Sequence, residues 1–151
     1  MRKWNKLLAL LLAMVMALGM AVTAFAEGED ATEDAVEYNG TIVILHTNDV
    51  HGAIDGYAKV AALKAQYEAE GAYVLVMDAG DFIQGQPAVS ISQGATAVEL
   101  MNMVGYDVAI PGNHEFDYGY DNLKALAEKA EFPILAANIT SNGAAALDEN
   151  V

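Results

Sequence analysis

Three short stretches of the chain set oxygen and nitrogen donors beside glycine. The first reads Asn48-Asp49-Val50-His51-Gly52. In extended chain, residues i and i+2 point to the same side, so Asp49 and His51 can grip one cation from a single loop. A carboxylate with an imidazole suits a first-row divalent metal better than calcium or magnesium alone. Taken by itself, such a pair is weak evidence, because solvated Asp-x-His pairs are common. The second stretch reads Asp78-Ala79-Gly80-Asp81-Phe82-Ile83-Gln84-Gly85. Its glycines allow tight turns close to a ligand, and the two oxygens of Asp81 can bridge two metals. Asp78 abuts a strand and reads as a strand-end residue that hydrogen-bonds backbone. The third stretch reads Pro111-Gly112-Asn113-His114-Glu115-Phe116-Asp117. An amide ligates only through its carbonyl oxygen, so Asn113 in a site is expected also to touch substrate or orient a neighbour. Asp117, three residues after His114, can accept a hydrogen bond from it and hold its charged form, which makes a general acid with a raised pKa.

These stretches must be positioned by regular elements, and the chain alternates short apolar runs with longer helical ones. Residues 41–46, 73–77, 107–110 and 133–137 read as strands, and 58–70, 95–104 and 120–130 as helices. Gly71 and Gly105 close the first two helices. Strict alternation implies parallel strands, right-handed crossovers and an α/β layer. Asp49, Asp81 and Asn113 each follow a strand, and each lies 32 residues after the one before, the length of one strand-loop-helix unit. In a parallel sheet the loops leaving the C-terminal strand ends gather along one edge, so topology delivers all three to one place. A dinucleotide-binding fold shares the alternation but needs G-x-G-x-x-G after the first strand, where this chain carries Asp-x-His instead.

Length and composition bound the rest. The 151 residues suffice for one modest domain, and zero cysteines exclude disulfides and thiolate metal sites. Net charge is -14, and beyond the basic start only four lysines stand against 21 acids, which excludes nucleic-acid polymers as partners. Residues 1–26 have a basic start (Arg2, Lys3, Lys6), an apolar run and an Ala24-Phe25-Ala26 ending, the layout of a cleaved signal peptide. A membrane anchor is the competing reading, since the run from Leu7 to Ala26 is just long enough to span a bilayer; Gly19 and the A-x-A ending favour cleavage. Residues 27–40 are expected to be an acidic disordered spacer. The mature chain is thus expected to be secreted or in the cell envelope, with membrane contact only through the export signal.

Leu45 to Gly52 (LHTNDVHG), Gly80-Asp81 and Gly112 to Asp117 (GNHEFD) resemble, in order and spacing, the first three motifs of the calcineurin-like metallophosphoesterases, and of their 5'-nucleotidase branch in particular. The resemblance covers about residues 41 to 140. It implies an α-β-β-α sandwich of which about half is present, residues 41–151 being its N-terminal part. It implies two divalent metal ions (Mn, Zn, Fe, Mg and Ca are not distinguished), with Asp49 and His51 on the first, Asp81 bridging and Asn113 on the second. His114 and Asp117 would be the catalytic pair, and the reaction would be metal-assisted phosphoester hydrolysis without a phosphoenzyme. The substrate would be a small phosphorylated molecule: a nucleoside monophosphate, a nucleotide sugar or a 2',3'-cyclic nucleotide. Glu115 matches a motif letter without a metal role, and His46 is expected to pack on its strand. The family's further histidine ligands cannot be filled, because the chain has only His46, His51 and His114. The chain is therefore expected to lack the C-terminal half of the same enzyme and to be inactive or weakly active alone; the alternative is a non-catalytic metal- or phosphate-binding surface fragment.

Overall fold

The computed structural model describes residues 37–141, 143–145 and 147. The expected signal peptide and most of the expected spacer lie outside the described residues. Among the described residues, no helix is long and apolar enough to cross a membrane. The last four spacer residues are not free chain. The Tyr38 ring packs edge-on against Tyr67 at 5.2 Å, and the Tyr38 N–H donates to the Glu70 carbonyl at 2.8 Å. An aromatic contact and a main-chain hydrogen bond thus tie this stretch to Tyr67 and Glu70.

Strands β1 (Ile42–Thr47), β2 (Tyr73–Asp78) and β3 (Val108–Ala109) form a parallel sheet in the order β1-β2-β3. Helix α1 (Asp55–Ala69) links β1 to β2; a short α2 (Pro87–Ser90) and then α3 (Ala95–Val104) link β2 to β3. A single 3-10 turn (His114–Phe116) and helix α4 (Tyr120–Lys129) follow. The expected fourth strand shrinks to one parallel bridge, Ile134 to Ala109. Its partner β3 is only two residues long, because Pro111 brings no N–H to continue the ladder. Two further short strands, β4 (Thr140–Ser141) and β5 (Ala144–Ala145), pair antiparallel.

Strands laid down in chain order with right-handed crossovers place every connecting helix on the same face. Tyr57 of α1, Val89 of α2, Met101 of α3 and Leu123 of α4 accordingly join Val76, Ala109 and Ile134 in one buried cluster. α3 ends on Gly105, whose φ of 75° lets the chain turn, and Lys64 of α1 donates to the Gly105 carbonyl at 2.6 Å. A cation at that end also opposes the helix dipole. The opposite face of the sheet carries Ile42, Ile44, Tyr73, Leu75, Ile110 and Leu135, all exposed. His46 shares the parity of Ile42 and Ile44 and is exposed with them, contrary to the packed role expected for it. Among the described residues, no helix covers that side of β1.

Where the core meets the strand ends, it turns polar. Asp78 is 3% exposed; Thr47 Oγ1 donates to it at 2.5 Å and the Gly80 N–H at 2.7 Å, so it does hydrogen-bond backbone at a strand end. The Tyr106 hydroxyl lies 2.9 Å from Thr47 Oγ1. Burial pushes the Asp78 carboxyl up to about 6; the Thr47 and Gly80 hydrogen bonds oppose the rise, and the Glu115 and Asp81 charges add to it. Folded Asp78 therefore keeps its proton to a higher pH than the unfolded chain, which releases it near 4. The folded state binds more protons in that window, so stability falls as pH rises from about 4 to about 6, and the loss from this group is on the order of 3 kcal/mol. Asn at this position can accept from Gly80 and donate to Thr47. Urea unfolding at several pH values should show that Asp78→Asn removes this part of the slope; an unchanged slope would refute the assignment.

Candidate metal centre

Thr47 pairs with Asp78, and Asp78 with Ala109, so β1, β2 and β3 finish side by side. The three donor loops leave from that row. The first two are stitched together by main chain: the Asp49 N–H donates to the Gly80 carbonyl and the His51 N–H to the Asp81 carbonyl, both at 3.0 Å, and the Gln86 N–H returns to the His51 carbonyl at 3.0 Å. The second and third touch at Gly80, where φ is 103° and a Cβ would stand 2.4 Å from the Gly112 nitrogen. Asp49, His51 and Asp81 have φ of 53°, 45° and 63°, the left-handed region. Asp and His tolerate it better than most side chains, yet each still costs about 1–2 kcal/mol. Strain of this kind persists where surrounding bonds hold it, and it collects at functional sites.

The held loops bring His51, Asp81 and His114 together. One ligand atom from each lies within 4.8 Å of the others, and all three residues are half-buried. The two imidazole rings meet edge to face at 5.0 Å. Oδ1 of Asp81 accepts the His114 N–H at 2.9 Å, which fixes the carboxylate in place. Asp49 is more exposed and stands at the rim, its Oδ1 3.6 Å from Nε2 of His51. Its other oxygen accepts from the Asn48 side chain. Gln84 Oε1 lies 3.3 Å from Nδ1 of His51; when that nitrogen donates its proton to the amide oxygen, Nε2 is left to ligate. His51 and Asp81, with the Asp49 carboxylate beside them, form a mixed nitrogen and oxygen set that fits a first-row divalent cation, and the His114 ring stands against it. Asn113 is exposed at the start of the 3-10 turn, and its carbonyl accepts the Phe116 N–H.

Sequence reasoning assembled Asp49, His51 and Asp81 and set His114 apart as an acid. The structure brings His114 into the group and leaves Asp49 at its edge. The acid geometry is nevertheless present: Nδ1 of His114 is 2.7 Å from Oδ2 of Asp117. That hydrogen bond is the main cause that raises the His114 pKa, with the Asp117 charge adding and partial desolvation opposing. A carboxylate only accepts, so Nδ1 carries the proton and Nε2 faces away from Asp117. Glu115 matches a motif letter to which the family resemblance assigns no metal role. It is fully buried, and its carboxylate accepts the N–H groups of Asp81, Phe82, Ile83 and Gly112. Its partners are main-chain groups, which leave no mark in the letters of the sequence.

The calcineurin-like phosphoesterase family model matches residues 42–145. The snake venom 5'-nucleotidase of Gloydius brevicauda is 38% identical over 122 residues, covering 70% of this chain and 21% of that protein. The 5'-nucleotidase of Vibrio vulnificus is 34% identical over 137 residues, covering 82% of this chain and 25% of that one. Among solved structures, a 5'-nucleotidase precursor of Thermus thermophilus matches with a TM-score of 0.58 at 29% identity, over 63% of this chain and 22% of its own. The chain thus spans about a fifth to a quarter of the length of the curated relatives it matches.

With metal removed by chelator, an NMR titration should place His114 above the usual histidine value of about 6.5. The neighbouring carboxylate favours the charged ring, so its stabilisation is full below that value and fades as pH rises through the higher folded one. Asp117→Asn should lower the His114 midpoint, and a midpoint unmoved by that change would contradict the pairing.

Proposed function

This chain belongs to the calcineurin-like phosphoesterase family, and from that membership we propose that it forms the N-terminal part of an exported, metal-dependent hydrolase of nucleotide phosphoesters. The observation that carries the reading is the meeting of His51, Asp81 and His114 at the C-terminal edge of the sheet. The family normally holds two metal ions, and such ions supply Lewis acidity and a nucleophile at neutral pH. In this chain Asp49, His51 and Asp81 would hold the first, and Asp81 with Asn113 would reach the second. His114, kept protonated by Asp117, would give its proton to the leaving oxygen of the ester. Export rests on residues 1–26 of the sequence and would set the enzyme where phosphorylated nutrients are met before uptake. With only three histidines, the chain offers too few donors to close the second metal position, so its own turnover is expected to be feeble.

Manganese titration and p-nitrophenyl phosphate hydrolysis test these roles. Asp81→Ala should weaken manganese binding by more than about tenfold. His114→Ala should keep most of the affinity and abolish whatever hydrolysis the chain supports, since a general acid contributes about 100-fold or more. Loss of manganese binding in His114→Ala would instead make His114 a ligand. A chain that binds no manganese would overturn the metal reading altogether, and a chain that binds it without any hydrolysis would favour a non-catalytic binding role.

A further inference from the structure

We propose that Glu115 is the positioning residue of this site: an internal anion that fastens the second donor loop to the third and thereby aims Asp81 and His114 at His51. The inference rests on the metal-site reading above. The geometry is reciprocal. Glu115, in the third loop, reaches back to the main chain of the second, accepting Asp81 N–H at 2.7 Å on Oε2 and Phe82 N–H at 2.8 Å and Ile83 N–H at 3.2 Å on Oε1. Asp81, in the second loop, reaches forward to the third, accepting the His114 N–H at 2.9 Å. Oε2 of Glu115 also takes the Gly112 N–H at 2.6 Å, so each of its oxygens serves two amides. A carboxylate has about four acceptor positions, and Glu115 uses all of them.

Several features make this more than packing. Asp81 holds a left-handed backbone, and the only thing binding its N–H among the described residues is Glu115. The two residues after it, Phe82 and Ile83, are fully buried and donate to the same carboxylate, so the loop is pinned on the core side while Asp81 projects outward. Gly112 completes the fit, because a Cβ there would lie 2.3 Å from Oδ1 of Asp81. His114 precedes Glu115 directly, so the clamp fixes its place as well. Glutamine cannot substitute: one amide oxygen would serve two of the four donors, and its NH2 group would face the other two. Two N–H groups at the loop junction would lose their partners, and the loops would separate to let water in.

The test uses the labelled 151-residue chain and its Glu115→Gln variant. In the unaltered chain without metal, the amides of Asp81, Phe82, Ile83 and Gly112 should resist hydrogen exchange although they lie in loops. Glu115→Gln should remove protection from at least two of them, abolish the NOE between the His51 and His114 rings, and weaken manganese binding by about tenfold or more. Signals from β1 and α4 should stay in place. Unprotected amides in the unaltered chain, or a variant that keeps both the ring NOE and the manganese affinity, would overturn the proposal. Should Glu115→Gln fail to fold, Glu115→Asp takes its place: its shorter stem keeps the charge but cannot reach all four donors, so a full ring NOE there would also overturn it. A chain that binds no manganese would refute the metal reading, and the ring NOE would then decide the role of Glu115 independently.

Discussion

The register of the parallel sheet is the constraint from which the site follows. Thr47, Asp78 and Ala109 stand in one row, each 31 residues after the last, so three strands release their chains at the same height. The donors Asp49, Asp81 and Asn113 come two, three and four residues further on. That growing offset is why the donors repeat every 32 residues while the strand ends repeat every 31. A slip of one residue in either pairing would turn the side chains of that strand to the other face and carry its donor loop out of line. The crossovers reinforce the arrangement by sending every helix to one face, which leaves the C-terminal edge to the loops alone.

Register brings the loops to one edge, but it does not hold them in reactive shape. Three left-handed residues without glycine's freedom impose strain of several kcal/mol in total. Main-chain bonds between the first and second loops offset part of it, and the reciprocal grip of Glu115 and Asp81 offsets the remainder between the second and third. Beneath them, Asp78, Thr47 and Tyr106 form a short polar chain that ends the core. The buried Tyr57 hydroxyl nearby has no partner among the described residues. Burial is the main cause that raises the Asp78 carboxyl in the lower layer, and the Glu115 and Asp81 charges above it add repulsion. A cation placed among His51, Asp81 and Asp49 would relieve that repulsion.

Much of this was legible in the letters. Alternating apolar runs point to the parallel α/β layer, and the even spacing of Asp49, Asp81 and Asn113 marks the edge from which their loops leave. The pairing of His114 with Asp117 followed from their separation of three residues. What escaped notice depended on three-dimensional detail that no residue type announces. Glu115 binds only main-chain N–H groups, so its role became visible once the loops were in place. His114 stands against His51 because the 3-10 turn folds its ring back toward it, a rotation that motif spacing does not specify. The fourth strand failed because its pairing partner is cut short at Pro111, and that is a property of the neighbour rather than of residues 133–137. Tyr38 is tied to Tyr67 and Glu70 by a ring contact and a main-chain hydrogen bond that the acidic composition around it does not announce.

His46 exposes the remaining lesson. β1 and β2 are apolar at both parities, with Val43, Leu45, Val74 and Val76 toward the helices and Ile42, Ile44, Tyr73 and Leu75 away from them. A strand that faces water on one side alternates apolar with polar residues, whereas a strand covered on both sides reads as a continuous apolar run. These strands carry the second pattern while the described residues supply cover for the first. The sandwich implied by the family resemblance sets a second sheet against such a face. The consequence reaches the site. Among the described residues, the strands that aim Asp49 and Asp81 are braced from one side only, so the accuracy of the donor loops here rests on the helices beneath and on the bonds that the loops make to one another.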